Sequence, residues 1–272
     1  MPLASALTNL VQRFEPCATR QDLVLPKQPL RVLDQIALQW RARTQETTSL
    51  TGPAKAGRAI SALFAGPRGT GKTMAGEVLA NETRLTFYNV DLGRVVSSDI
   101  GETEKNLGTL FDATREEGAL LFFEEADALF GKRSEVRDAH DRYANFENNN
   151  LLQCMEDYRG IVILATHSKE AIDPAFLCRL GYVVEFALPD MAQRAEIWRR
   201  IFPLDTPVEA LDPERLARLP LTGANIRDIA RSSASIAARE GQPVRLSHLL
   251  RAAQSECAKI DRPIDLAAIA RP

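Results

Sequence analysis

Gly66-Pro67-Arg68-Gly69-Thr70-Gly71-Lys72-Thr73 fills every fixed position of the pattern G-x-x-x-x-G-K-[S/T]. That pattern marks a loop cradling the phosphates of a nucleotide when a strand precedes it and a helix follows. Both flanks are present. Ile60–Ala65 is a short apolar run broken only by Ser61, and Thr73–Glu82 reads as a helix. The glycines let backbone N–H groups converge on phosphate oxygens, and the helix N-terminus adds positive potential. Lys72 is placed to reach the β- and γ-phosphates, and the Thr73 hydroxyl is offered to Mg²⁺. Gly66, Pro67, Arg68, Gly69, Thr70, Gly71, Lys72 and Thr73 are therefore the expected contacts to the phosphates of a nucleotide.

Working outward, short apolar runs alternate with helical stretches. The runs are Ile60–Ala65, Leu85–Val90, Leu120–Phe123, Ile161–Ala165 and Tyr182–Ala187. Runs apolar on both faces, separated by helices, imply an α/β fold with a parallel sheet covered on both sides. The third run ends in Glu124-Glu125-Ala126-Asp127. Carboxylates at a buried strand end, downstream of a phosphate loop, suit a metal-side ligand and a water-activating base. The alternative is that Glu124 and Glu125 open a helix, where acids suit the dipole.

The flanks differ from this body. Within residues 1–50 an apolar run, Leu23–Leu25, stops at Pro26. Leu30, Leu33, Ile36 and Trp40 then recur at helical spacing, and Arg41–Gly57 fades into loop-like composition. We expect an N-terminal helical appendage and linker over 1–50 and an α/β domain over 51–188. Residues 189–272 contain amphipathic helices and no strand pattern, so an all-helical unit is expected there.

Composition excludes more than it assigns. With 34 Lys+Arg against 36 Asp+Glu the net charge is −2, which argues against a basic nucleic-acid or membrane-surface binder. No apolar run approaches the ~20 residues of a membrane span. The start lacks a basic secretory n-region, and the four cysteines form no CxxC pair. A cytoplasmic protein without disulfides is the simplest expectation.

The stretches Gly66–Thr73, Ile100–Leu107, Leu121–Arg133, Asp141–Gly160, Ile161–His167, Asp173–Leu180 and Leu221–Ala230 together resemble a bacterial AAA-family ATPase. The likeness is to single-ring members, some encoded beside contractile injection systems. The resemblance implies a P-loop NTPase sheet of order 5-1-4-3-2, counted from Ile60–Ala65 as the first strand, with the C-terminal helices as a lid. It implies ATP and Mg²⁺ as cofactors and a hexameric ring, or a mixed ring with a related ATPase, acting on protein. It places Glu125 at the catalytic glutamate, Glu124 with Thr73 on the metal side, and His167 where a side chain orients water. Arg227, in Thr222-Gly-Ala-Asn-Ile-Arg227, falls at the lid arginine that touches the γ-phosphate. Without the motif, Arg227 reads as a solvated helix residue and His167 as a structural strand-end histidine.

The chain departs from the family at five positions. Glu124 replaces an aspartate, and the added methylene moves the carboxylate by more than ~1 Å. His167 replaces an asparagine. Cys178 and Gly181 stand where relatives carry arginines that enter the neighbouring subunit's site. Ser98-Asp99 precedes Ile100 where relatives carry a substrate-gripping aromatic. A hydrolysis-impaired nucleotide-binding module, in a mixed ring, is the alternative that these changes keep open. A DNA-associated relative of the same fold is disfavoured by the balanced charge and the absence of an appended helix-turn-helix.

Overall fold

The structure is a computed structural model, and it describes residues 11–49, 59–96, 101–115, 118–128, 140–259 and 269. The Ser98-Asp99-Ile100 stretch lies outside these residues. The chain divides into two compact units, one of residues 1–66 with 72–186, the other of residues 67–71 with 187–272.

The first unit is a six-stranded sheet flanked by helices. Its elements are β1 (Val11–Phe14), α1 (Lys27–Ser49), β2 (Ile60–Ala65), α2 (Lys72–Thr83), β3 (Thr86–Asp91), α3 (Leu92–Val95), α4 (Glu102–Arg115), β4 (Ala119–Glu124), α5 (His140–Asp157), β5 (Ile161–Thr166), α6 (Pro174–Leu177) and β6 (Tyr182–Glu185). The strand order is β1-β3-β4-β5-β2-β6. Counted from β2 as the first strand, the five parallel strands run 5-1-4-3-2, as the resemblance implied. β1 is added antiparallel to β3 at one edge, pairing Val11 with Val90 and Phe14 with Phe87.

The apolar runs are continuous because successive residues feed two cores. In β4, Leu121 and Phe123 join Leu107, Leu110, Phe111, Leu151 and Met155 from α4 and α5 on one face. Leu120 and Phe122 join Leu33, Ile36, Ala75, Val78 and Leu79 from α1 and α2 on the other. α2 lies so close that a Cβ on Gly76 would stand 2.7 Å from the Phe122 ring. All five parallel strands end at one edge of the sheet, where ligands of such folds bind.

The N-terminal segment corrects one expectation. It is built into the first unit rather than appended to it. Besides β1, Leu23, Leu33, Ile36 and Ala37 are core residues. The Asn81 amide donates to the carbonyls of Pro16 (3.1 Å) and Ala18 (2.7 Å), and Arg20 pairs with Asp34. The helix also runs on to Ser49, past the loop-like composition from Arg41.

The second unit contains α7 (Met191–Arg200), α8 (Pro213–Leu216), α9 (Gly223–Glu240) and α10 (Leu246–Cys257) around Trp198, Leu219, Ile226, Ile229 and Leu249. Capping boxes Asp190/Gln193 and Thr222/Asn225 start α7 and α9. Gly241, at φ 64°, ends α9 in the left-handed region. No helix among the described residues is long and apolar enough to cross a membrane. The four cysteines are free thiols.

Candidate active site

The phosphate loop begins where β2 ends. Gly66 donates its N–H to the Thr166 carbonyl at 3.1 Å, so the loop leaves beside the end of β5. Its φ is +152°, and a Cβ there would sit 2.1 Å from the Phe186 carbonyl oxygen. Only glycine fits that approach. Lys72 opens α2 and its ammonium donates to the Gly66 carbonyl at 2.5 Å, holding the cation in the loop.

One residue further, the Thr73 hydroxyl donates to Glu124 Oε1 at 3.1 Å. The hydroxyl of the first helical turn and the carboxylate of the acidic strand end are thus brought together. The extra methylene of Glu124 does not prevent the contact. Glu124 is half-buried and lies in register beside Asp91, whose side chain caps α3 and pairs with Arg94.

Glu125 is exposed and adopts φ +54°, one of three non-glycine residues with positive φ among those described. Such backbone persists where the surroundings over-determine it, and it clusters at functional sites. The next residue, Ala126, is fully buried, and Asp127 follows in a short 3-10 turn. Asp127 accepts from the Thr166 hydroxyl at 2.5 Å and from the His167 N–H at 3.1 Å. The ends of β4 and β5 are therefore tied by one carboxylate, with the exposed His167 side chain at the seam.

In the second unit, Gly69 (φ +77°) leaves room for a Cβ only 2.6 Å from Thr222 Oγ1, and the Ala224 N–H donates to the Gly69 carbonyl at 3.1 Å. The Thr70 hydroxyl, mostly buried, donates to the Pro67 carbonyl at 2.8 Å. Thr222 and Asn225 exchange hydrogen bonds, and Asn225 donates onward to the buried Glu256 at 3.3 Å. Lys259 and Asn225 hold the Glu256 carboxyl below its usual range against the opposing effect of burial. This network fixes the first turn of α9. Arg227 follows, exposed, five residues into the helix.

Comparison with known proteins places this geometry. Residues 62–188 match the family model described as ATPase family associated with various cellular activities (AAA). The chain carries an AAA-family domain. It is 32% identical over 217 residues to an uncharacterized AAA family ATPase of Sinorhizobium fredii, covering 79% of this chain and 63% of that protein. It is 32% identical over 189 residues to the proteasome-activating nucleotidase of Methanococcus vannielii, covering 66% and 46%. Against spastin of Xenopus laevis it is 27% identical over 256 residues, covering 91% and 42%. The chain thus spans 42% to 63% of the length of these curated relatives.

The AAA domain gathers Gly66, Lys72, Thr73, Glu124, Glu125 and His167 at the ends of β2, β4 and β5. Pro67, Arg68, Gly69, Thr70 and Gly71 group with Arg227 in the second unit. Cys178 and Gly181 are exposed, following α6. Sequence reasoning passed over the linking roles of Asp127, Thr166, Asn225 and Glu256. The only signals were a threonine closing an otherwise apolar strand and a Thr-x-x-Asn spacing at the α9 start.

Proposed function

We propose that this chain binds ATP with Mg²⁺ and hydrolyses it to ADP and phosphate, as a ring subunit that remodels or assembles protein. The observation that carries this reading is the 3.1 Å contact between Thr73 Oγ1 and Glu124 Oε1. It assembles a hydroxyl and a carboxylate, both hard oxygen donors, at the mouth of the phosphate loop. That set fits Mg²⁺, which keeps several waters and takes one or two carboxylates beside the phosphates. When bound, Mg²⁺ would offset charge on the phosphate oxygens.

The chain's own residues would do the rest. Backbone N–H groups of Gly66–Thr73 would cradle the phosphates. Lys72 would exchange its bond to the Gly66 carbonyl for the phosphate oxygens. Glu125 would accept a proton from the attacking water as general base, worth typically about 10²–10⁴ in rate. His167 would orient that water through a ring nitrogen. Arg227 would offset charge developing on the γ-phosphate.

The likeness to a nucleotidase named for activating a proteasome supports work alongside protein machinery. A second reading, a hydrolysis-impaired module in a mixed ring, is favoured by Cys178 and Gly181. Neither exposed position carries positive charge, and losing such an arginine costs about 10³–10⁵ in rate. Turnover per chain measured across protein concentration separates the two. A rate that climbs with concentration supports a self-completing ring. ATP binding without turnover at every concentration supports the module.

A further inference from the structure

We propose that Asp127 is a positioning residue for ATP turnover, clamping the end of β4 to the end of β5 so that Glu125 and His167 hold a fixed separation. This rests on the ATPase reading above. Glu125 sits at φ +54°, a backbone conformation that a side-chain-bearing residue leaves unless both of its flanks are held. One flank is β4, whose register with β5 runs from Leu120 paired to Ile161 through Phe123 paired to Leu164. The pairing stops there, short of both functional residues. Beyond it, the other flank is held by the buried Ala126 and by Asp127.

The two carboxylate oxygens divide the work. Oδ1 accepts the Thr166 hydroxyl at 2.5 Å, and Oδ2 accepts the His167 N–H at 3.1 Å. The second bond fixes the backbone of His167 itself. The first fixes a fully buried side chain, whose oxygen also accepts from the Ser168 N–H at 3.2 Å. Asp127 touches no substrate in this account, and it acts through its two neighbours. Positioning of this kind affects turnover more than ground-state binding, because phosphate capture is carried by Gly66–Thr73.

The geometry also dictates which substitution rescues. An asparagine amide oxygen can accept the His167 N–H while its NH₂ donates to Thr166 Oγ1. The Thr166 proton then turns to the Ser168 carbonyl, already 2.8 Å away. Alanine offers neither bond.

The test compares the wild-type chain with Asp127→Ala, Asp127→Asn and Thr166→Val. Measurements are steady-state ATP turnover, affinity for a fluorescent ATP analogue, melting temperature and hydrogen exchange at the His167 N–H. D127A should lower kcat by about 10- to 100-fold, the scale of a 1 Å misplacement, with analogue affinity within about twofold. D127N should recover most of that loss, and T166V should fall between. His167 exchange should quicken by roughly tenfold or more in D127A alone. An unchanged kcat in D127A overturns the proposal and leaves the ATPase reading standing. So does a D127N rate as low as that of D127A. If D127A does not fold, T166V decides, and wild-type turnover in it overturns the proposal. A wild-type chain that binds the analogue but never turns over ATP overturns the Asp127 proposal together with the ATPase reading.

Discussion

The phosphate loop and the Cys178–Gly181 segment belong to the same chain but are constrained in opposite ways. At Gly66 a single added carbon would sit 2.1 Å from a backbone carbonyl, and at Gly69 2.6 Å from a hydroxyl. At Gly181 the closest obstacle, the Ser61 carbonyl, is 3.2 Å away, and Cys178 is exposed. The loop is dictated from within the fold, so its sequence has almost no freedom. The segment after α6 is held less tightly: Gly181 donates its N–H to Ser61 Oγ at 3.1 Å, and a Cβ there would ask its neighbour to give only slightly. Under the proposed function, nucleotide capture would lie within the single chain, whereas full turnover would need a cation from a neighbouring subunit.

The largest expected effect breaks that contrast from its open side. Cys178→Arg combined with Gly181→Arg restores the cations that the resemblance places there. It should raise kcat tenfold or more, within the roughly 10³–10⁵ that such arginines supply. The gain should vanish at protein dilutions where turnover per chain has fallen. A smaller effect breaks it from the closed side. Gly66→Ala meets the Phe186 carbonyl and should weaken ATP binding by about 5- to 150-fold, read by titration of a fluorescent analogue, since forced backbone strain costs about 1–3 kcal/mol.

The same contrast explains what the sequence made legible. Ile60–Ala65, Leu120–Phe123 and Ile161–Ala165 stand out because both of their faces are buried, so the small Ser61 is the one polar residue within them. The loop stands out because its glycines have no substitutes. β1 was invisible. It is an edge strand with only Val11 buried, and Gln12, Arg13 and Phe14 carry no alternation that a reader could use. The last turns of α1 escaped notice for a related reason. From Arg41 they hold mostly polar residues, and Thr44 donates to the Arg41 carbonyl at 2.9 Å. Glu125 was placed by its motif, but its left-handed backbone and the Asp127 clamp arise from tertiary contacts that no local pattern encodes.

The N-terminal segment offers a milder perturbation away from the site. Asn81→Ala removes both amide bonds to the Pro16 and Ala18 carbonyls. At about 1 kcal/mol per bond, the chain should lose roughly 1–2 kcal/mol in denaturant unfolding, with kcat unchanged. A true appendage would leave stability unaltered.

The smallest effect concerns the start of α9. Glu256 is held below the usual carboxylate range by Lys259 and Asn225. Its folded value lies below its unfolded one, so its contribution is full above the unfolded value. That contribution is lost as pH falls through the folded value. Because Lys259 is largely exposed, screening limits it to under about 1 kcal/mol. Glu256→Gln should remove that increment at neutral pH and flatten the acid side of the stability profile.

The proposed function comes down to one loop that captures ATP and one carboxylate, Glu125, that drives its hydrolysis. Single-turnover hydrolysis, with bound nucleotide quantified in parallel, tests it directly on the wild-type chain and on Glu125→Gln. The account predicts equal ATP occupancy in both chains and a rate about 10²–10⁴ lower in the variant. Equal rates in the two chains, or a wild-type chain that retains ATP intact, would contradict it.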